Sequence, residues 1–229
     1  MNEQVAPGVS YRKYVSSMAK HMKRMPWYKL IYSKKAGKEL ARSLGVPTPE
    51  DYTQSMQPFV VKPLHGHSSK NVMVIDNLAN FVVEELLFDE DGLSPPRDFR
   101  WYFFGDQCRM VHVSRPGSLP KLSGYYSWPD WTPLRIDTKR PWFECAKPSS
   151  VDEMFRYAKL LAAVFPIPIR VDFYATTRGP VFGEFCATPG LAVGKRITPE
   201  GDQMLGNWVS EVNAYPVSRA LGDRDSPSS

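Results

Sequence analysis

Tyr11, Tyr14, Val15, Met18 and Met22 recur at helical spacing and predict an amphipathic helix over residues 8–24, which Pro26 ends. Leu30, Ile31, Leu40 and Leu44 predict a second helix over 28–44, closed by Gly45 and followed by a proline-punctuated connector over 47–57. Beyond the connector the period shortens. Phe59–Val61 and Val72–Ile75 read as strands around a Gly-, Ser- and His-rich loop, and Phe81–Leu87 as an apolar run carrying Glu84 and Glu85. Phe99–Phe104 and Cys108–Val113 read as a hairpin turning at Gly105-Asp106, and residues 114–148 as irregular and aromatic-rich. Ser150 and Glu153 form a capping box for a helix ending near Phe165. Ile169–Ala175 and Val181–Phe185 read as a last hairpin around Thr177-Arg178-Gly179, then a helix over 201–215 and a polar tail over 219–229. This order predicts an α+β fold with antiparallel sheets.

Composition narrows the class. With 42% apolar and 23% charged residues in 229, the chain reads as globular, not fibrous or disordered. Its longest apolar stretch, Leu160–Ile169, is interrupted by Pro166, so no membrane span is expected. Cys108, Cys145 and Cys186 are too far apart for a paired metal motif, and they fit a reducing cytoplasmic setting. The net charge of +5 is uneven: residues 1–44 hold ten Lys/Arg against two acids, so the remainder is net acidic. That basic end is either a solvated helical face or a surface for an anionic partner.

Three segments carry candidate chemistry. In Ile169-Arg170-Val171-Asp172-Phe173-Tyr174, strand alternation puts Arg170, Asp172 and Tyr174 on one face. If the hairpin pairs symmetrically about Arg178, Asp172 lies directly opposite Glu184, and two opposed carboxylates require a cation. That cation is either Mg²⁺, which suits hard oxygen ligands, or Arg170 in a structural ion pair. Lys62 closes an apolar strand before Gly66, Ser68 and Ser69, a pattern that fits a phosphate flap or an exposed loop. Glu84-Glu85-Leu86-Leu87 reads as a nucleotide hinge or as a strand end.

In this order the segments resemble the ATP-grasp superfamily, most closely its TupA-like branch and more distantly D-alanine–D-alanine ligases. The resemblance runs from about Ser33 to Asn207, through Phe59–Pro63, Glu84–Leu87, Asp98–Phe104, Arg170–Tyr174 and Gly183–Gly190. It implies two subdomains that sandwich ATP, over 58–113 and 114–218. In front of them lies a shortened basic segment, 1–57. It also implies roles for individual residues. Lys62, Ser68, Ser69 and one of Lys34 or Lys35 hold ATP phosphates. Glu84, Glu85, Leu86 and Leu87 meet the adenine, and Asp98 the ribose. Asp172 and Glu184 bind Mg²⁺, Arg170 steadies the transferred phosphoryl group, and the Gly190 amide helps form an oxyanion hole. One departure is Cys186, which stands where the D-alanine ligases have an asparagine metal ligand.

The resemblance implies an ATP- and Mg²⁺-dependent carboxylate–amine ligase working through an acyl phosphate, in natural-product or cell-surface polymer biosynthesis. Its partners would be a small-molecule carboxylate and an amine; nucleic acid is not expected. A homodimer or partner protein could complete the shortened front. The alternatives are a kinase of the same fold and a non-catalytic module that docks a polyanion.

Overall fold

The computed structural model describes residues 9–51, 59–63, 81–118, 120–193 and 196–212. The Val72–Ile75 strand, Ser68, Ser69 and the 219–229 tail lie outside them.

Helix α1 (Tyr11–His21) runs into a short 3₁₀ turn over Met22–Arg24. The helix expected over 28–44 is divided into α2 (Tyr28–Tyr32) and α3 (Lys34–Ser43). Ser33 divides it. Its backbone is extended, and its Oγ accepts the Ala36 N–H, so it caps a new helix instead of continuing the old one. This break sets Lys34 at the start of α3. Helix α2 lies so close to α3 that a Cβ on Gly37 would sit 3.1 Å from the Leu30 carbonyl.

Strands β1 (Phe59–Pro63) and β2 (Phe81–Glu85) form an antiparallel pair. The larger sheet has the order β5-β4-β3-β6-β7, with β3 spanning Asp98–Phe104, β4 Gln107–Arg115, β5 Leu122–Ser127, β6 Ile169–Thr176 and β7 Gly179–Cys186. Two expectations are corrected here. Residues 114–148 contain a strand, β5. The 98–113 hairpin, expected in the first subdomain, pairs with β6 and so belongs to the larger sheet.

One face of that sheet is apolar. Phe99, Trp101 and Phe103 of β3 join Val171 and Phe173 of β6, all at most 1% exposed. Helix α4 (Val151–Ala162) covers them with Met154, Phe155, Ala158 and Leu161. Each such fully buried large side chain contributes about 1.5–3 kcal/mol. The expected capping box is not made: Ser150 Oγ is buried without a hydrogen-bond partner, and Glu153 accepts from Tyr157.

After β7 come α5 (Gly190–Val193) and α6 (Pro199–Glu211). Asp202 of α6 accepts from Ser10 Oγ at 2.6 Å and from the Arg12 N–H at 2.8 Å, which fastens the start of α1 to α6. No helix among the described residues is long and apolar enough to cross a membrane.

Candidate active site

The other face of the large sheet is polar. Strand pairing aligns Tyr125 (β5), His112 (β4), Arg100 (β3) and Asp172 (β6) in one row across four strands. Arg170 lies one position along β6 on the same face.

Asp172 does not sit directly opposite Glu184. Val171 pairs with Phe185, but Phe173 pairs with Phe182, so β7 bulges and Gly183 and Glu184 together face Asp172. Glycine permits the bulge, because a Cβ on Gly183 would press within 3.3 Å of both the Asp172 carbonyl and the Tyr174 ring. Glu184 stands on the edge strand, and its side chain stays 25% exposed.

Arg170 bridges the two acids. Its Nε and Nη2 donate to Asp172 at 2.7 and 2.5 Å, and Nη2 donates to Glu184 Oε1 at 3.3 Å. Arg100 Nε lies 3.6 Å from Asp172 Oδ2, and Lys34 Nζ lies 3.9 Å from Glu184 Oε2. Burial pushes the Asp172 carboxyl above the usual carboxylate range, against the pull of Arg170. Burial also pushes the Cys186 thiol up to about 11, so a neutral thiol stands at this position.

Asp98 Oδ2 accepts from Arg100 at 2.5 and 2.8 Å, whereas its Oδ1 is buried without a hydrogen-bond partner. His112 Nδ1 faces Arg100 Nη1 at 3.4 Å, and its Nε2 lies 3.1 Å from Ser123 Oγ. Because a guanidinium can only donate, Nδ1 accepts and Nε2 carries the proton. Burial and four nearby arginines hold His112 well below its ordinary pKa, so it is neutral.

The remaining expected residues sit outside strands β3 to β7. Glu84, 2% exposed, pairs with Lys38 at 3.1 Å. Glu85 pairs with Arg178 and accepts the Glu50 N–H. Leu86 and Leu87 follow β2, and the Leu87 carbonyl accepts from Ser94. Lys35 is exposed, Gly190 opens α5, and the described backbone of Lys62 pairs with Val82. Sequence reasoning missed Lys38, His112, Arg140 and Arg196. Lys38 sat within a basic run, and His112 within an apolar strand.

Asp172 and Glu184 are hard oxygen donors on adjoining strands. Among the described residues no set of three or more acids, histidines or cysteines forms a metal cage. Two carboxylates without a cage fit Mg²⁺, which takes one or two protein carboxylates and completes its shell with phosphate and water.

A family model described as TupA-like ATP-grasp matches residues 79–210, more than half of the chain. Among solved structures, ATP-grasp ligase PsnB, complexed with a phosphomimetic precursor variant, Mg and ADP, superposes with a TM-score of 0.51 at 15% identity, covering 79% of this chain and 58% of its own. D-alanine–D-alanine ligase from Helicobacter pylori gives 0.51 at 15% identity, over 90% of this chain and 69% of that one. The Bacillus anthracis enzyme, complexed with ATP, gives 0.50 at 15% identity, over 85% and 67%. The chain thus spans about three-fifths of the length of PsnB. These likenesses show the ATP-grasp fold. No curated protein matches the chain.

Proposed function

Since this chain belongs to the TupA-like ATP-grasp family, we propose that it is an ATP-dependent ligase that joins a carboxylate to an amine through an acyl phosphate. The observation that carries this reading is the convergence of Arg170, Asp172, Glu184 and Lys34 on one sheet face.

A carboxylate is a poor electrophile. Attack of its oxygen on the γ-phosphorus of ATP expels ADP and leaves an acyl phosphate, and an amine then displaces phosphate from the acyl carbon. Asp172 and Glu184 would hold Mg²⁺. When bound, this ion would supply positive charge that offsets the negative charge of the phosphates. Arg170, steered by its two acids, presents its remaining donor edge to the phosphoryl oxygens and then to the oxyanion. The Gly190 amide would be the second oxyanion donor. Its approach is open, because a Cβ there would meet nothing within 4 Å.

Lys34, beside Glu184, is the better candidate than exposed Lys35 for the early phosphate lysine. Lys62, Ser68 and Ser69 keep the phosphate role that the resemblance implies. The unpartnered Oδ1 of Asp98 suits a ribose hydroxyl, which would donate to it. Glu84 and Glu85 are already engaged by Lys38 and Arg178, so the adenine would meet backbone groups near Leu86 and Leu87. With the 98–113 hairpin in the larger sheet, ATP would lie between the β1–β2 pair and that sheet.

The test is ADP release from Mg·ATP across a panel of acids and amines, with mass spectrometry of the product. An amide supports the ligase. A stable phosphoester would instead identify a kinase.

A further inference from the structure

The polar row continues past the proposed catalytic cluster to a second group of arginines. Arg140 leaves the loop after β5, and its Nη1 lies 3.4 Å from Ser123 Oγ. Arg196 precedes α6, and its Nη2 lies 3.7 Å from Asp137 Oδ2. Among the described residues, Asp137 is the one carboxylate within ion-pair distance of either guanidinium.

That carboxylate is already committed. Its Oδ1 accepts the backbone N–H groups of Lys139 and Arg140 at 2.9 and 3.2 Å, and its Oδ2 accepts from Tyr125 at 3.2 Å. Arg196 Nε is buried without a hydrogen-bond partner. The neighbouring Arg100 is itself a cation, engaged by Asp98, and His112 is neutral, so neither supplies negative charge. Burial and the nearness of Arg196 and Arg100 disfavour the charge on Arg140. The two loops that carry these arginines are laced together: Thr138 donates to the Arg196 carbonyl through both N–H and Oγ1, at 2.7 and 2.8 Å.

Among the described residues Arg196 has one acid in reach, already occupied, and Arg140 has none, so the two guanidiniums make a place for an anion. It lies on the reactive face of the sheet. Strand β5, which carries Ser123, is three strands from β6, a separation of about 14 Å.

We propose that Arg140 and Arg196 form a subsite for a second carboxylate of the substrate, remote from the carboxylate that reacts beside Arg170. The enzyme would then select acids with two or more carboxylates set well apart. This inference rests on the ligase reading, because that reading fixes which end of the row is reactive.

The test uses the full chain saturated with Mg²⁺ and a non-hydrolysable ATP analogue. Calorimetry is run with linear α,ω-dicarboxylates of graded length, each against the monocarboxylate of equal length. Wild type is expected to bind a dicarboxylate of matching span about tenfold or more tighter than its monocarboxylate partner, the contribution of one charge-assisted contact. Arg140→Gln and Arg196→Gln are expected to lose that preference while nucleotide affinity stays within about twofold. The melting temperature of Arg140→Gln should be unchanged or raised, since a disfavoured charge is removed; a purely structural arginine would lower it. No dicarboxylate preference at any length, or a preference that survives in both variants, overturns the subsite. So does inorganic phosphate competing as strongly as the best dicarboxylate. Failure of the nucleotide analogue to bind wild type would instead overturn the ligase reading.

Discussion

Arg170 holds both oxygens of the Asp172 carboxylate, Nε on Oδ1 at 2.7 Å and Nη2 on Oδ2 at 2.5 Å, in surroundings where both residues are less than a tenth exposed. The fork orients the acid proposed to bind the metal and the cation proposed to bind the phosphoryl group. Arg170→Met leaves the buried acid, among the described residues, with Arg100 as its one ion-pair partner, at 3.6 Å. Urea denaturation should show a loss of about 3–5 kcal/mol. Arg170→Lys restores charge without the fork, and its ADP release should fall by about 10²–10³. Full activity in Arg170→Lys would contradict the assigned role.

Lys38 and Glu84 are 3% and 2% exposed and meet at 3.1 Å, joining α3 to β2. Lys38→Met takes the lysine from a buried carboxylate and should cost about 3–5 kcal/mol in denaturant melts. The double variant Lys38→Met/Glu84→Leu removes both charges and should recover most of that loss. A double variant as unstable as the single one would place the defect in packing.

Asp202 caps the start of α1 from across the chain, and Gly206 lets α6 approach it. A Cβ on Gly206 would drive into the Val9 carbonyl. Asp202→Ala should cost about 1–2 kcal/mol. Gly206→Ala should be worse, because backbone must move. Limited proteolysis of both variants should show earlier cleavage near residues 9–12 than in wild type.

His112 is neutral in the folded state, with its pKa held below the ordinary value of about 6.5 that it regains on unfolding. The unfolded chain therefore binds the extra proton first. This residue adds nothing to stability at alkaline pH and destabilises the fold as pH falls below about 6.5, by about 1.4 kcal/mol per pH unit. Chemical denaturation from pH 8 to 5 should show a shallower decline for His112→Asn than for wild type. Parallel profiles would contradict the neutral assignment.

The β6–β7 hairpin was legible because its alternation and turn residues agree, and it carried Arg170, Asp172 and Glu184 with it. The bulge at Gly183 was not legible, since a register shift leaves the apolar pattern intact and moves only one side chain. Strand β5 was hidden in Leu122-Ser123-Gly124-Tyr125-Tyr126-Ser127, whose glycine reads as a breaker. It is there because a Cβ at Gly124 would press within 2.7 Å of the Phe143 carbonyl. The break at Ser33 depended on a hydroxyl cap that competes with helix continuation, a balance that spacing does not reveal. Arg140 and Arg196 lie in loops more than fifty residues apart, and only the fold brings them together.

The most direct measurement is calorimetric titration of the full chain with a non-hydrolysable ATP analogue, with and without Mg²⁺, for wild type and Asp172→Asn. One nucleotide site is expected, with Mg²⁺-dependent affinity in wild type and binding at least about tenfold weaker in Asp172→Asn, since the change removes a charged ligand to the ion. No binding by wild type, or equal affinity in both proteins regardless of Mg²⁺, would contradict the assignment of this sheet face as a nucleotide–metal site.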